Sequence, residues 1–153
     1  MTGKPTKVAF VGSREFKSRS VVEVTVASFI KKLGIENFIL VSGGARGVDK
    51  WSEDAARHLG VPDEQIIVFK PNWYPNGVYD PSQGFERNTL IIEAAELIVA
   101  CWDLLSKGTM DSVFKAKDLG KKVIVLDYEG KKVDESRWVR PRQLRGRVGQ
   151  TSI

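Results

Sequence analysis

Three short segments of this chain combine glycine with a hydroxyl and a cation at close spacing. They are Gly12, Ser13 and Arg14; the run Ser42, Gly43, Gly44, Ala45, Arg46 and Gly47, with Asp49 two residues on; and Ser106, Lys107, Gly108 and Thr109. Such a combination suits a phosphate group. Glycine lets backbone N–H groups approach an anion, a following helix N-terminus adds partial positive charge, and a hydroxyl or guanidinium completes the site. The second segment lacks the G-x-G-x-x-G register, and no G-x-x-x-x-G-K-[ST] follows it, so neither the ordinary dinucleotide fingerprint nor a Walker A loop is present. Arg46 and Arg87 are read as phosphate clamps, because a guanidinium binds phosphate bidentately. The smaller groups have plainer roles too: Ser13, Ser42 and Thr109 serve equally well as helix caps. Asp49 either accepts from a ribose hydroxyl or simply sits in a first helical turn, where an acid is favourable without any ligand.

The elements that must position these segments are written in the hydrophobic pattern. Five β-rich runs, Lys7 to Val11, Asn37 to Ser42, Gln65 to Phe69, Leu97 to Trp102 and Lys122 to Asp127, are almost continuously apolar. That is the mark of strands buried on both faces of a parallel sheet. Between them, Val22, Val26, Phe29, Ile30 and Leu33 form one stripe on a helix over Val21 to Leu33. A second helix carries Val48, Trp51, Ala55, Ala56 and Leu59, with Gly60 as its C-cap. Two more are expected over Glu86 to Glu96 and Thr109 to Leu119. The alternation predicts an α/β fold, a Rossmann-like open parallel sheet of about five strands with helices on both faces. In such sheets ligands bind outside the carboxyl ends of the strands, where the strand order reverses, and the three glycine segments all follow strands. The expected phosphate site is therefore built from the first, second and fourth strand-to-helix loops.

Two stretches break the rhythm. Lys70 to Gly84 holds three of the six prolines and three aromatics, Trp73, Tyr74 and Tyr79, and reads as a lid whose rings either stack on a base or plug the loop itself. Beyond Tyr128 a small turn, YEGKK, leads into an irregular arm containing Trp138. A length of 153 residues, 42% apolar and 28% charged, fits one globular domain, placed at residues 1–136. The net charge of +5 equals the five arginines that follow Glu135, so the basicity belongs to a tail at residues 137–153. The longest apolar run, Leu97 to Trp102, is six residues against about 18 for a membrane span, and the apolar stretch before Gly12 is only four residues, too short for a secretory signal. No membrane partner is expected. Cys101 is the single cysteine and lies in an apolar strand, where it reads as core in a reducing, cytoplasmic setting. His58 has no Ser or Cys at triad spacing, and no Asp or Glu pair stands near it at metal-ligand spacing. Neither a metal nor a cofactor is expected.

Taken together, GSR after the first strand, SGGARGVD after the second, GFERN, and WDLLSKGT resemble the SLOG superfamily, most nearly its small stand-alone YpsA-related branch, from about Val8 to Asp127. The resemblance implies a nucleotide or nucleotide-derived ligand bound by these loops, with Asn88 and Lys107 among its contacts. Two relatives imply different activities. The cytokinin-activating phosphoribohydrolases of the superfamily cleave the N-glycosidic bond of nucleoside monophosphates, using the Arg of an ERK segment and the Glu of a PGGxGTxxE segment. Here Glu86, Arg87 and Asn88 match the first except at its last position. The second keeps Gly108 and Thr109 but has Ser112 where the Glu falls and Asp111 one residue early, a rotation of about 100° on a helix. For an enzyme, this implies hydrolysis at an N-glycosidic or phosphate-ester bond, with Arg87 stabilising developing negative charge and Asp111 or Glu86 as acid or base. The DNA-processing protein A family shares the SGGARG[IV]D loop and uses it on single-stranded DNA. The alternative is therefore a single-stranded nucleic-acid binder that adds the arginine tail to this loop. Superfamily members pair their subunits near the nucleotide site, and Leu90, Ile91, Ala94 and Ala95 offer apolar surface, so a homo-oligomer is expected.

Overall fold

The computed structural model describes residues 3–138. Five strands and four helices alternate along it: β1 (Thr6–Gly12), α1 (Arg19–Leu33), β2 (Phe38–Ser42), α2 (Val48–His58), β3 (Ile66–Val68), α3 (Gln83–Ala94), β4 (Leu97–Cys101), α4 (Lys107–Asp118) and β5 (Lys122–Leu126). The sheet is parallel throughout, in the order β3-β2-β1-β4-β5. β1 is central, with Val8 opposite Leu40 on one side and Leu97 on the other. This is the Rossmann-like α/β architecture that the alternation predicts.

The period of two along a strand divides the core between two faces. Val8, Phe10, Leu40 and Cys101 point to one side and pack with Val22, Val26, Ala55 and Ala56 of α1 and α2. Ala9, Val11, Val41 and Ala100 point to the other, against Ile91, Ile92, Val113 and Phe114 of α3 and α4. Burying each Val, Leu, Ile or Phe contributes about 1.5 to 3 kcal/mol, so covering both faces is what holds the sheet flat against its helices. Cys101 is fully buried, and burial pushes its thiol up to about 12.

Element ends differ from expectation where side chains set them. α1 starts at Arg19, two residues early, because the Ser18 hydroxyl accepts from Val21 N–H. α3 starts at Gln83 rather than Glu86. The Asp80 carboxylate accepts from Ser82 N–H and from the Ser82 and Gln83 side chains, organising a Pro-containing stretch into a helix entry. β3 at the sheet edge shrinks to three residues, although Phe69 N–H still reaches Ser42 O. The turn after β5 is present. Asp127 accepts from Glu129 and Lys131 N–H, and the chain returns antiparallel with Lys132 opposite Leu126. The arm then docks: Trp138 donates to Val133 O and sets its ring edge-on to Phe114, 6.3 Å between centroids. Of the basic tail, Arg140, Arg142, Arg145 and Arg147 lie outside the described residues. Among the described residues no helix is long and apolar enough to cross a membrane.

Candidate functional site

The order β3-β2-β1-β4-β5 reverses between β1 and β4: from β1 the chain moves to β2 on one flank, from β4 to β5 on the other. Loops leaving such a pair part from each other and open a crevice at the carboxyl ends. A cleft of about 600 Å³ lies there, within the range of about 300 to 1,000 Å³ usual for small-ligand sites.

The first loop supplies its floor. At Gly12 a Cβ would stand 2.5 Å from the Val48 side chain and 2.7 Å from Cys101 O, so glycine is required for β1 to end against α2 and β4. The Ser13 hydroxyl lines the cleft, is buried, and has no hydrogen-bond partner among the described residues. A buried hydroxyl left unpaired costs about 1 to 3 kcal/mol, and such groups in folded proteins usually meet a ligand or solvent. Arg14 lies at the exposed rim. Arg46, beside it, stands 3.7 Å from Glu15 in a pair whose side chains are both mostly exposed and which holds neither firmly.

The glycine run after β2 is tied down from beneath. Ser42 donates to Glu53 Oε2 at 2.6 Å and accepts from Gly44 N–H; Asp49 Oδ2 accepts from Ala45 N–H at 3.2 Å. Two of the N–H groups expected to cradle phosphate are therefore satisfied within the loop. Gly44 and Gly47 have φ of 71° and 83°, and Arg14 backbone lies 3.0 Å from where a Cβ on Gly47 would be. Ser42, Gly43, Gly44 and Gly47 thus shape the loop from outside the cleft, and Ala45, Arg46 and Asp49 line it. The network continues outward from Glu53 through Arg57, 3.7 Å away, to Asp63 on the surface.

Asp49 is the buried acid of the site. Desolvation pushes its carboxyl up to about 7, aided by Glu53 and opposed by the Ala45 and Gly43 N–H groups and by Arg87. The expected ribose acceptor is thus engaged with its own loop, and its inward setting is a feature the sequence did not signal: an acid in a helical first turn looks the same whichever way it points. Arg87 reaches the cleft from the first turns of α3. It donates from Nη1 to Gly43 O at 2.5 Å and from Nε to Asn88 Oδ1 at 3.1 Å. Burial first, then Arg14, lower its pKa, with Asp49 acting against them. Gly43 makes room: a Cβ there would fall 2.7 Å from Arg87 Nη1 and 2.8 Å from Asp49 Oδ2.

The fourth strand leads to α4. Asp103 Oδ1 accepts from Leu105 and Ser106 N–H, both at 2.8 Å, and Trp102 Nε1 donates to Ser106 O. Gly108 and Thr109 of the first helical turn line the cleft, where backbone N–H groups lack intrahelical acceptors; Lys107 does not. Asn88, nearly buried, donates to Gly108 O and to Asp111 Oδ2, joining α3 to α4. Asp111 pairs with Lys115 at 2.9 Å and is not part of the cleft wall; Ser112, one residue on and fully buried, is. Glu86 is exposed and also off the wall. His58 lies at the exposed end of α2. No group of three metal-ligating side chains occurs among the described residues.

Several wall residues were assigned no ligand contact in the sequence reading: Phe85, Ile91, Asp103, Leu105 and Ser112. Of the three loop aromatics, Trp73 lines the cleft. Tyr74 and Tyr79 are exposed and pack as a tilted pair 5.7 Å apart, with Trp73 6.2 Å from Tyr79. The rings pack on one another as the plug reading expects, and Trp73 also faces the cleft.

Residues 6–74 match the model of the YAcAr family, described as the YspA, cpYpsA-related SLOG family. Among curated proteins nothing matches. Among solved structures the chain is similar to DNA processing protein A from Helicobacter pylori, studied for its single-stranded DNA binding mode, at 21% identity and a TM-score of 0.63 over 96% of this chain and 74% of that one. The same protein from Streptococcus pneumoniae aligns at 17% identity and a TM-score of 0.63, over 95% of this chain and 56% of that one. The molybdenum cofactor carrier protein from Chlamydomonas reinhardtii aligns at 16% identity and a TM-score of 0.58, over 96% and 86%. At these identities the likeness is one of fold.

Proposed function

We propose that this chain, whose residues 6–74 match a SLOG family model, binds a nucleotide or nucleotide-derived ligand in the cleft between β1 and β4. The phosphate sits between the Ser13 hydroxyl and the first turn of α4 at Gly108 and Thr109, and Arg14, Arg46 and Arg87 supply positive charge around it. One observation carries this reading: the buried, unpartnered Ser13 hydroxyl lines the same cleft as those first-turn residues of α4. A phosphate oxygen at that point would satisfy the hydroxyl and the free helix N–H groups at once.

The reading is one of binding. Glu86 and Asp111, the carboxyls that the resemblance offered as acid or base, stand off the cleft wall, and Asp49, which lines it, is engaged by Ala45 N–H. Arg87 keeps the position for charge stabilisation and loses its expected partners. A second reading, a single strand lying across the cleft, draws on the fold shared with a protein studied for its single-stranded DNA binding mode. It would use the exposed Tyr74 and Tyr79 and the basic tail. A homo-oligomer belongs to the proposal as well. Of the expected helical stripe Leu90 is exposed while Ile91 and Ala95 are buried, so Leu90, with the exposed Tyr74, Val78 and Tyr79, offers apolar surface to a second copy. A cytoplasmic location fits the buried, unpaired Cys101.

The test is isothermal calorimetry with the four nucleoside monophosphates on the wild type and on Ser13→Ala. Removing the hydroxyl should weaken the best ligand about tenfold, the value of one hydrogen bond to a charged group. It should leave stability unchanged or raised, since it removes an unpaired buried group. Equal affinity in the two proteins would remove the assigned phosphate seat.

A further inference from the structure

The anion seat has an acid on its wall. Asp49 is buried and lines the cleft together with Ser13, Arg87, Gly108 and Thr109. A carboxylate beside a phosphate repels it, so the charge state of this one group bears directly on what the cleft can hold. Asp49 and Arg87 meet over Gly43 without pairing. A Cβ on Gly43 would lie 2.8 Å from Asp49 Oδ2 and 2.7 Å from Arg87 Nη1, so the two atoms converge on one point of the backbone. Yet Arg87 donates from Nη1 to Gly43 O and from Nε to Asn88 Oδ1, and no carboxylate is ion-paired with it among the described residues. The cleft thus carries a half-buried cation without a counter-charge and, next to it, the acid that could supply one.

The charged and titratable groups that bear on Asp49 come from several elements. Glu53 stands one turn along α2, Arg87 reaches across from α3, and the Cys101 thiol of β4 is kept protonated by burial. Arg14 of the first loop acts on Arg87 in turn, and Glu15, Arg46 and Asp103 share the cleft wall. Among the influences on Asp49, burial dominates and favours the neutral acid, Glu53 adds to it, and Arg87 opposes it.

We infer that Asp49 and an anionic ligand compete for Arg87, so that binding of the anion at neutral pH and above draws a proton from solvent onto the Asp49 carboxylate. The inference rests on the phosphate seat proposed above and adds its regulation. With the carboxyl protonated, Arg87 has no internal counter-charge and the cleft favours an anion. With it ionised, the carboxylate supplies that counter-charge from within the fold and repels the ligand. A carboxyl that titrates at about 7 is protonated below that pH and ionised above it, so affinity is full at pH 6 and falls as the pH rises. With the ionised form excluding the ligand, the loss from pH 6 to pH 8 is about tenfold, and about one proton is taken up per anion at pH 8 and almost none at pH 6. A phosphate monoester gains charge through its own ionisation near pH 6, which acts in the opposite direction. Sulfate stays dianionic throughout and isolates the contribution of the protein.

The experiment titrates sulfate into the full chain by calorimetry at pH 6 and pH 8. At each pH two phosphate-free buffers of different ionisation enthalpy are used, so that the difference in heat counts the protons taken up. The four nucleoside monophosphates are titrated alongside at pH 6. The wild type should bind sulfate about tenfold more weakly at pH 8 than at pH 6 and take up about one proton per anion at pH 8. Asp49→Asn should bind sulfate with the same affinity at both pH values and without proton uptake. The wild-type proton count needs no variant, which keeps the test decisive if Asp49→Asn fails to fold. A wild-type affinity that is equal at the two pH values, or a tenfold loss that persists in Asp49→Asn, would overturn the coupling and leave the phosphate seat standing. So would monophosphates that bind where sulfate does not, since the competition is for the bare anion. Failure of sulfate and of all four monophosphates to bind would overturn seat and coupling together.

Discussion

Replacing Asp49 by Asn tests the electrostatics of the loop through stability alone. The carboxyl titrates at about 7 in the fold against 3.8 as the ordinary value, with burial as the leading cause. The native state therefore holds this proton more tightly than the unfolded chain does. Stability from this group is complete below about pH 4, falls as the pH rises toward 7, and stays low above it. With about 1.4 kcal/mol per pH unit between the two values, the wild type should lose roughly 2 to 3 kcal/mol between pH 5 and pH 8 from this residue. Asn keeps an acceptor for Ala45 N–H but turns an amide toward the Gly43 backbone, an offset of about 1 to 2 kcal/mol that does not vary with pH. Asp49→Asn should thus match the wild type near pH 5 and exceed it by about 2 to 3 kcal/mol at pH 8. Urea unfolding at both pH values reads the difference, in which titrating groups that do not interact with Asp49 cancel. A wild-type-minus-variant difference that is the same at pH 5 and pH 8 would refute the buried, largely desolvated carboxyl as the cause.

Two glycines separate the shape of the loop from the space of the site. Gly47→Val, at φ of 83° with Arg14 backbone beside it, should cost stability by about 2 kcal/mol or more in thermal or urea unfolding. Gly108→Val meets nothing within 4 Å and should fold near normally while its methyl groups occupy the cleft, lowering nucleotide affinity at least tenfold by calorimetry. For association, light scattering at micromolar concentration should give a multiple of the 17.1 kDa chain mass, and a monomer mass with and without nucleotide would confine the site to one copy.

The strands were legible because burial on both sheet faces leaves no room for polar residues, as in VAFV, FILV and LIVAC. Helices α1 and α2 were legible from their stripes. The start of α3 was not, because Pro81, Ser82 and Gly84 are loop formers by type, and only the side-chain bonds of Asp80 turn them into a helix entry. At the site, glycine beside Ser or Arg after a strand marked loops that line the cleft. Which of those residues face inward depends on packing several elements apart. Ser112 lines the wall and Asp111 turns to Lys115, a difference of one residue on a helix. Leu104 carries no sign in its type of the backbone it adopts, since glycine is the residue such a φ calls for.

The chain of contacts running from Gly44 N–H to Ser42, then to Glu53, Arg57 and Asp63, makes the glycine loop answerable to the surface at the far end of α2. Arg57 is the one cation ion-paired with Glu53 among the described residues, and it is itself oriented by an exposed aspartate. Its loss leaves the buried Glu53 carboxylate held by the Ser42 hydroxyl, with no ion pair beneath the loop among the described residues. A site of this construction has a remote dependency: positions 57 and 63, which touch no part of the cleft, should tolerate exchange far less freely than their exposure implies, and the tolerance of Asp63 should depend on what stands at 57.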